Sequence, residues 1–464
     1  MNDITRTPLA TDLYQLTMLQ AYWQHRMDDI AVFELFVRKL PRERRFLVAA
    51  GLDPVLDWIE HARFEADELR WIEDCGRFAP GFAYWLARLR FTGDIWAMPE
   101  GTVFFADEPI LRVVAPIAQA QLLETRIVNL MHLQTVIASK AARAVLAAGG
   151  RTLIDFGLRR AHGAEAGLLA ARAAWIAGYD GTATAAAGHR YGIPVFGTMA
   201  HSYVQAHDDE AQAFETFAES FPTDAVLLID TYDTVEGARK VAALAPALAG
   251  RGIRIKGVRL DSGNLDALSR EVRAVLDRAG LNHVIILASG NLDEYRVREL
   301  VSAAAPIDSF GIGTSLTTAS DAPSLDAVYK LQEYGGVARR KRSAGKATWP
   351  GRKQVWRQAS GNGFERDVVD LIDQPNSGTP LQIEAMRAGR RVGPAPPLAA
   401  ARQYCASQLA RLPAALTRIE VDDTGAPYPV EISPRIRALA AQVDRSTRPR
   451  TSSGALGARS GEPA

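Results

Sequence analysis

Val284-Ile285-Ile286-Leu287-Ala288-Ser289-Gly290-Asn291 is an unbroken apolar run that stops abruptly in small polar residues. Consecutive apolar residues without alternation fit a strand buried on both faces, the habit of parallel sheets covered by helices. Similar runs recur on both sides, at Thr152–Phe156, Val195–Thr198, Ala225–Asp230, Ile253–Leu260 and Ile307–Ile312. Most intervals carry amphipathic helical patterns, such as Val235–Ala245 and Leu265–Ala279. Six such units favour a barrel-like α/β arrangement over a small open sheet.

The ends of these runs locate the chemistry. They read Asp155-Phe156-Gly157, Gly197-Thr198, Asp230-Thr231-Tyr232-Asp233, Arg259-Leu260-Asp261-Ser262-Gly263, Ser289-Gly290-Asn291 and Gly311-Ile312-Gly313-Thr314. Active sites of α/β barrels gather at the carboxyl ends of the strands. A concentration of Asp, Arg, Gly, Ser and Thr there points to an enzyme.

Outward from this region the pattern changes. Thr11–Trp23 has helical spacing, with Thr11 or Asp12 as N-cap, and Ala31–Val37 reads as a strand. Asp94–Ala106 reads as two strands about a turn at Pro99-Glu100-Gly101. A long helical segment from about Ile117 to Ala148 stops at Gly149-Gly150. Gly335–Arg357 is an exposed basic loop, and β structure returns at Gln354–Gln358 and Arg366–Ile372. The divisions expected are residues 1–130, 131–335, 336–440, and a Ser-, Arg-, Gly- and Pro-rich tail at 441–464 expected to be disordered.

The chain of 464 residues carries 54 Lys plus Arg against 53 Asp plus Glu, and 47% of it is hydrophobic. That balance argues against general polyanion binding, so nucleic acid is not an expected partner. Two distant cysteines, Cys75 and Cys405, have no metal-ligand spacing and suit a reducing cytoplasm. The polar N-terminal stretch is unlike a signal peptide, and no apolar run is long enough to span a membrane.

Taken one at a time, the motifs have alternatives. In Asp155–Arg160, two guanidinium groups and an aromatic ring suit a flat carboxylate or phosphate ligand, but also describe a surface Arg pair beside a core Phe. His201 in Gly197–Ser202 fits a nucleophile or general base, and equally a structural histidine bonded to a backbone carbonyl. Asp230, Asp233 and Asp261 can hold Mg²⁺, orient a histidine or bind ribose hydroxyls, while Asp230 or Ser262 can also cap a helix. The turn Gly311–Ser315 offers free N–H groups to a phosphate, or is an ordinary strand-to-helix turn.

In this order the pieces resemble nicotinate phosphoribosyltransferases. The resemblance begins at Thr11-Asp12-Leu13-Tyr14-Gln15-Leu16-Thr17-Met18 and runs through the strand-end motifs. It continues through Val328-Tyr329-Lys330-Leu331 and Pro350-Gly351-Arg352-Lys353-Gln354, covering about residues 8–435. It implies an incomplete α/β barrel of the type II phosphoribosyltransferase kind, joined to an α/β-sandwich domain built from both chain ends. It implies formation of nicotinate mononucleotide and pyrophosphate from nicotinate and phosphoribosyl pyrophosphate (PRPP) in NAD salvage, ligase or glycosyltransferase chemistry with Mg²⁺ and with ATP as co-substrate. It also implies a homodimer with a shared active site. By that resemblance Tyr14 stacks on nicotinate from the partner subunit, Phe156 covers the other face, and Arg159 and Thr198 lie near the substrate. Arg259, Ser289, Gly290, Gly311, Gly313 and Thr314 belong to the PRPP region, and Asp261 to the ribose. His201 is the histidine phosphorylated by ATP, with Asp230 orienting its imidazole.

Two further readings stand beside this one. A nicotinamide-using relative carries an Asp directly after its Gly-Thr pair, where Met199 stands here; an acid there would repel nicotinate's carboxylate. A non-catalytic protein that binds PRPP or pyridine compounds would not need His201.

Overall fold

The structure, a computed structural model, describes residues 6–361, 363–374, 376–420 and 426–446. Its central feature is a parallel sheet of six strands: β1 (Thr152–Asp155), β2 (Gly181–Thr182), β3 (Ala225–Leu228), β4 (Ile255–Leu260), β5 (Ile285–Ala288) and β6 (Ser309–Ile312). The order is β2-β1-β6-β5-β4-β3, with every pairing parallel. The edge strands β2 and β3 do not pair with each other, so the barrel is incomplete. The helices Ala164–Ala177, Thr234–Gly250, Leu265–Arg278 and Glu294–Ser302 connect successive strands. Leu153, Leu227, Val258, Ile286 and Phe310 are among the residues they bury in one continuous core.

The expected strand at Val195–Thr198 is corrected to a single bridge, Val195 with Thr182. Pro194 has no N–H to give a ladder, and Val195 is half exposed. The strand that occupies this edge is the two-residue β2, too short to show a period.

Both chain ends contribute to a second, seven-stranded antiparallel sheet. Its order is Val337–Ala338, Ala327–Tyr334, Ile30–Val37, Pro109–Pro116, Asp94–Ala97, Ile383–Arg387 and Arg390–Arg391. Ile30–Val37 lies inside it and is buried on both faces apart from Ile30. The turn at Pro99–Gly101 does not fold a hairpin, because Asp94–Ala97 joins this sheet while Val103–Phe104 pairs with Leu47–Val48. A further sheet holds Lys353–Ser360 and Gly363–Leu371 as antiparallel neighbours.

The helix Glu124–Ala148, preceded by Ile117–Leu122, bridges the two units. Its first half buries Ile127, Leu130 and Met131 beside the antiparallel sheet, and its second half runs from Val136 to Ala148 against the parallel core. It stops at Gly149, whose φ of 58° is the left-handed conformation that ends helices. The expected tail begins too early: residues 441–446 complete the helix Pro434–Ser446, whose buried Ile436, Ala440 and Val443 keep an apolar spacing. Residues 447–464 lie outside the described residues.

Candidate active site

At the carboxyl end of the parallel sheet, each strand stops where a polar turn begins, and side chains of one turn hold the next. Asp155 is buried at the end of β1; it accepts from the Gly157 N–H at 2.8 Å and the Thr182 hydroxyl at 2.7 Å. Burial pushes its carboxyl above the usual range despite those two bonds. Asp230 Oδ2 accepts from the Asp261 N–H at 2.8 Å and the Ser262 hydroxyl at 2.7 Å. Ser315 donates to the Leu292 carbonyl at 2.5 Å. The caps of the following helices are Asp233, Asn264 and Asp293, so neither Asp230 nor Ser262 is occupied in capping.

These turns enclose two adjoining cavities of about 450 and about 480 Å³. The first is lined by Arg160, Ser289, Gly290, Asn291, Asp293, Gly311, Gly313, Thr314, Ser315 and Ser320 among others. The second is lined by Thr198, Met199, His201, Leu158 and Leu228 among others. Phe156, Arg159, Arg259 and Asp261 line both and form the shared wall.

Arg259 holds that wall together. Its Nε donates to Ser289 Oγ at 2.8 Å, one terminal nitrogen to Asp261 Oδ1 at 2.8 Å, and the other to Thr198 Oγ1 at 3.3 Å. Its guanidinium carbon lies 5.3 Å from the centre of the Phe156 ring. Ser289 donates in turn to Asp261 Oδ1 at 2.5 Å. Burial pushes the Asp261 carboxyl up, but the Ser289 hydroxyl, the Arg259 guanidinium and nearby His201 outweigh it and hold it below the usual carboxylate range.

The glycines serve close approach. A Cβ at Gly290, which has φ of 88°, would lie 1.9 Å from the Asp261 carbonyl oxygen. One at Gly311 would meet the Phe156 ring at 2.5 Å, and one at Gly313 the Phe156 carbonyl at 2.9 Å. Gly311 therefore makes room for the ring as well as lining the cavity.

The remaining expected residues divide. Phe156, Arg159, Thr198, His201, Arg259, Asp261, Ser289, Gly290, Gly311, Gly313 and Thr314 all line the paired cavities. Tyr14, on the helix Leu13–Gln24, lines neither and is 48% exposed in the single chain. The expected contact between Asp230 and the His201 imidazole is corrected: Thr231 Oγ1 is the group at His201 Nδ1, at 3.1 Å, while Asp230 Oδ2 is taken by the β4 turn. His201 Nε2 lies 3.8 Å from Asp261 Oδ2. Arg160, Asn291 and Ser315 line the first cavity from within the strand-end motifs, which assigned them no individual role, whereas Asp293 and Ser320 were not singled out; the run past β5 and β6 was the signal that could have included them.

Asp230 Oδ1 is buried and has no hydrogen-bond partner. Asp230 lines neither cavity, and among the described residues no group of three or more His, Cys, Asp or Glu side chains gathers as a metal site. No helix among the described residues is long and apolar enough to cross a membrane.

Sequence comparison matches residues 9–132 to the nicotinate phosphoribosyltransferase N-terminal domain, 152–340 to the nicotinate phosphoribosyltransferase family and 372–440 to its C-terminal domain. Nicotinate phosphoribosyltransferase pncB2 of Mycobacterium tuberculosis is 50% identical over 429 residues, covering 92% of each chain. Nicotinate phosphoribosyltransferase of Bacillus subtilis is 41% identical over 375 residues, covering 79% of this chain and 76% of its own. The crystal structure of the human nicotinic acid phosphoribosyltransferase superposes with a TM-score of 0.84 at 29% identity, covering 93% of this chain and 99% of that one. The chain belongs to the nicotinate phosphoribosyltransferase family, enzymes that join nicotinate to PRPP in NAD salvage.

Proposed function

We propose that the paired cavities divide the two substrates, with PRPP in the Ser289–Thr314 lobe and nicotinate against Phe156 in the lobe that holds Thr198 and His201. The observation that carries this reading is the shared wall of Phe156, Arg159, Arg259 and Asp261, because the bond being made must lie between the two substrates. Backbone N–H groups of Gly290, Gly313 and Thr314 in the lining of this lobe suit phosphate oxygens, and Asp261, held ionised, suits the ribose hydroxyls. Arg159 is exposed at the mouth of both lobes, and its planar fork matches the nicotinate carboxylate. The ring nitrogen of nicotinate forms a bond to C1 of the ribose as the C–O bond to pyrophosphate breaks. The attacking nitrogen needs no deprotonation, so the site requires charge stabilisation more than a base.

Asp261 is the residue that would hold Mg²⁺, which supplies neutralisation of the departing pyrophosphate. Tyr14 completes the nicotinate side from a second copy of the chain, making the working unit a homodimer. Two free cysteines fit placement in a reducing cytoplasm. His201 takes a phosphoryl group from ATP: an imidazole nitrogen bonds to the γ-phosphorus and ADP leaves. Hydrolysis of that phosphohistidine couples ATP to synthesis. The test is incubation with γ-labelled ATP, followed by product assay with nicotinate, PRPP and Mg²⁺. Acid-labile label on the wild type and none on His201→Ala, with loss of ATP stimulation, is expected. Full ATP-stimulated synthesis by His201→Ala ends the phosphohistidine reading while leaving the transferase activity intact.

A further inference from the structure

Behind the Ser289–Thr314 lobe lies a cluster of buried charges that the chemistry above does not use. Lys140 and Arg143 project from the helix Glu124–Ala148, and Glu294 opens the helix Glu294–Ser302. Asp321 follows the short helix Thr314–Thr317, and Arg44 comes from the loop after Ile30–Val37. Lys140 Nζ lies 2.5 Å from Glu294 Oε2 and 2.8 Å from Asp321 Oδ1. Arg143 Nε donates to Glu294 Oε1 at 3.0 Å, and Arg44 donates to Asp321. The side chains of Lys140 and Glu294 are 3% and 0% exposed. Burial pushes the Asp321 carboxyl up, but Arg44 and Lys140 outweigh that and hold it at about 2.

Two walls of the lobe hang from this cluster. Asn291 and Asp293 line one side, and Asp293 caps the helix that Glu294 begins. Ser320 lines another, one residue before Asp321. The Lys140 ammonium touches both anions and so couples the two walls. Arg44 and Arg143 hold the outer sides of the same two carboxylates, Arg44 on Asp321 and Arg143 on Glu294, so Lys140 is the link between the two pairs.

We propose that Lys140 is a positioning residue for PRPP: by tying Glu294 to Asp321 it sets the spacing of two walls of the phosphate lobe. The proposal rests on the reading that this lobe holds the phosphorylated substrate. Lys140→Met keeps the apolar stem and removes the bridge. The expected result is a KM for PRPP raised about tenfold, with KM for nicotinate and kcat changed less than about threefold. Lys140→Arg, which keeps the charge, is expected to recover most of the loss. A parallel Gly313→Ala variant tests the lobe itself, since its Cβ would crowd the Phe156 carbonyl. If Gly313→Ala raises the KM for PRPP and folded Lys140→Met does not, or Lys140→Met shifts both KM values alike, the role of Lys140 is refuted. If neither variant moves the KM for PRPP, the lobe assignment falls and the proposal with it. Should Lys140→Met not fold, Arg44→Met loosens Asp321 from its other side. The same selective rise supports the proposal, and an unchanged KM for PRPP overturns it.

Discussion

Arg259 places donors of three separate nitrogens on three acceptors at once, a span that the single nitrogen of a lysine cannot cover. Its fork spans Ser289, Asp261 and Thr198 while its flat face lies over Phe156. An ammonium is a single compact charge without that geometry. Arg259→Lys is therefore expected to retain the wild-type circular dichroism spectrum while kcat/KM falls about a hundredfold, roughly 2.7 kcal/mol of lost transition-state stabilisation. Steady-state kinetics checks it, and activity within about threefold of wild type would show that the charge alone suffices. The individual residue types of this cluster were legible because each strand end wears its chemistry in a few consecutive letters. Their bonds to one another were not. Thr231 reads as a neutral turn residue, and nothing in the letters says that its hydroxyl, rather than the Asp230 carboxylate beside it, meets His201. Side-chain direction past a strand end depends on which turn lies next door, and that is fixed by the sheet order.

Among elements, the parallel strands and their helices were the most readable part of the chain. A run such as Val284–Ser289 is apolar because both of its faces are covered, and the amphipathic stretches around it have one face to bury. Among the elements that escaped notice are two-residue strands such as Gly181–Thr182, which exists only through pairing with Thr152–Asp155, and longer ones such as the helix Leu52–His61. Glu108 shows another limit: it looks like an exposed loop acid before the strand Pro109–Pro116, yet it is fully buried. Burial, then the charge of neighbouring Asp367, pushes its carboxyl well above 4.5, against the pull of Arg357. Since the folded value is the higher one, the stability linked to Glu108 is complete below about pH 4.5 and is lost as pH rises through the folded value. Glu108→Gln cannot ionise and escapes that loss. The melting temperature of Glu108→Gln relative to wild type is expected to rise as pH increases above about 5. A difference that stays flat across the range would mean that Glu108 titrates normally.

The whole molecule exposes what a single chain leaves incomplete. Tyr14 lies outside both cavities and is half exposed, while the resemblance assigns it to the nicotinate ring of a neighbour. Co-expression of Tyr14→Ala with Arg259→Ala separates the possibilities. If sites are shared, each mixed dimer carries one intact site, and a random mixture recovers up to about a quarter of wild-type activity. No recovery above the two separate variants would place Tyr14 outside the site. The sandwich domain was legible only in outline, because its interior strand Ile30–Val37 finds partners from distant parts of the sequence and no local pattern announces them.

That same strand, Ile30–Val37, has a consequence for how the protein is made. It pairs with Pro109–Pro116 early, but its other neighbour is Ala327–Tyr334. On a ribosome adding roughly 5–20 residues each second, the newborn strand waits on the order of 15–60 s for that companion. Throughout the wait an apolar row of unpaired amides stands open to any other nascent chain. Translation speed and chaperone supply therefore bear on the yield of this enzyme in a way that its finished architecture conceals.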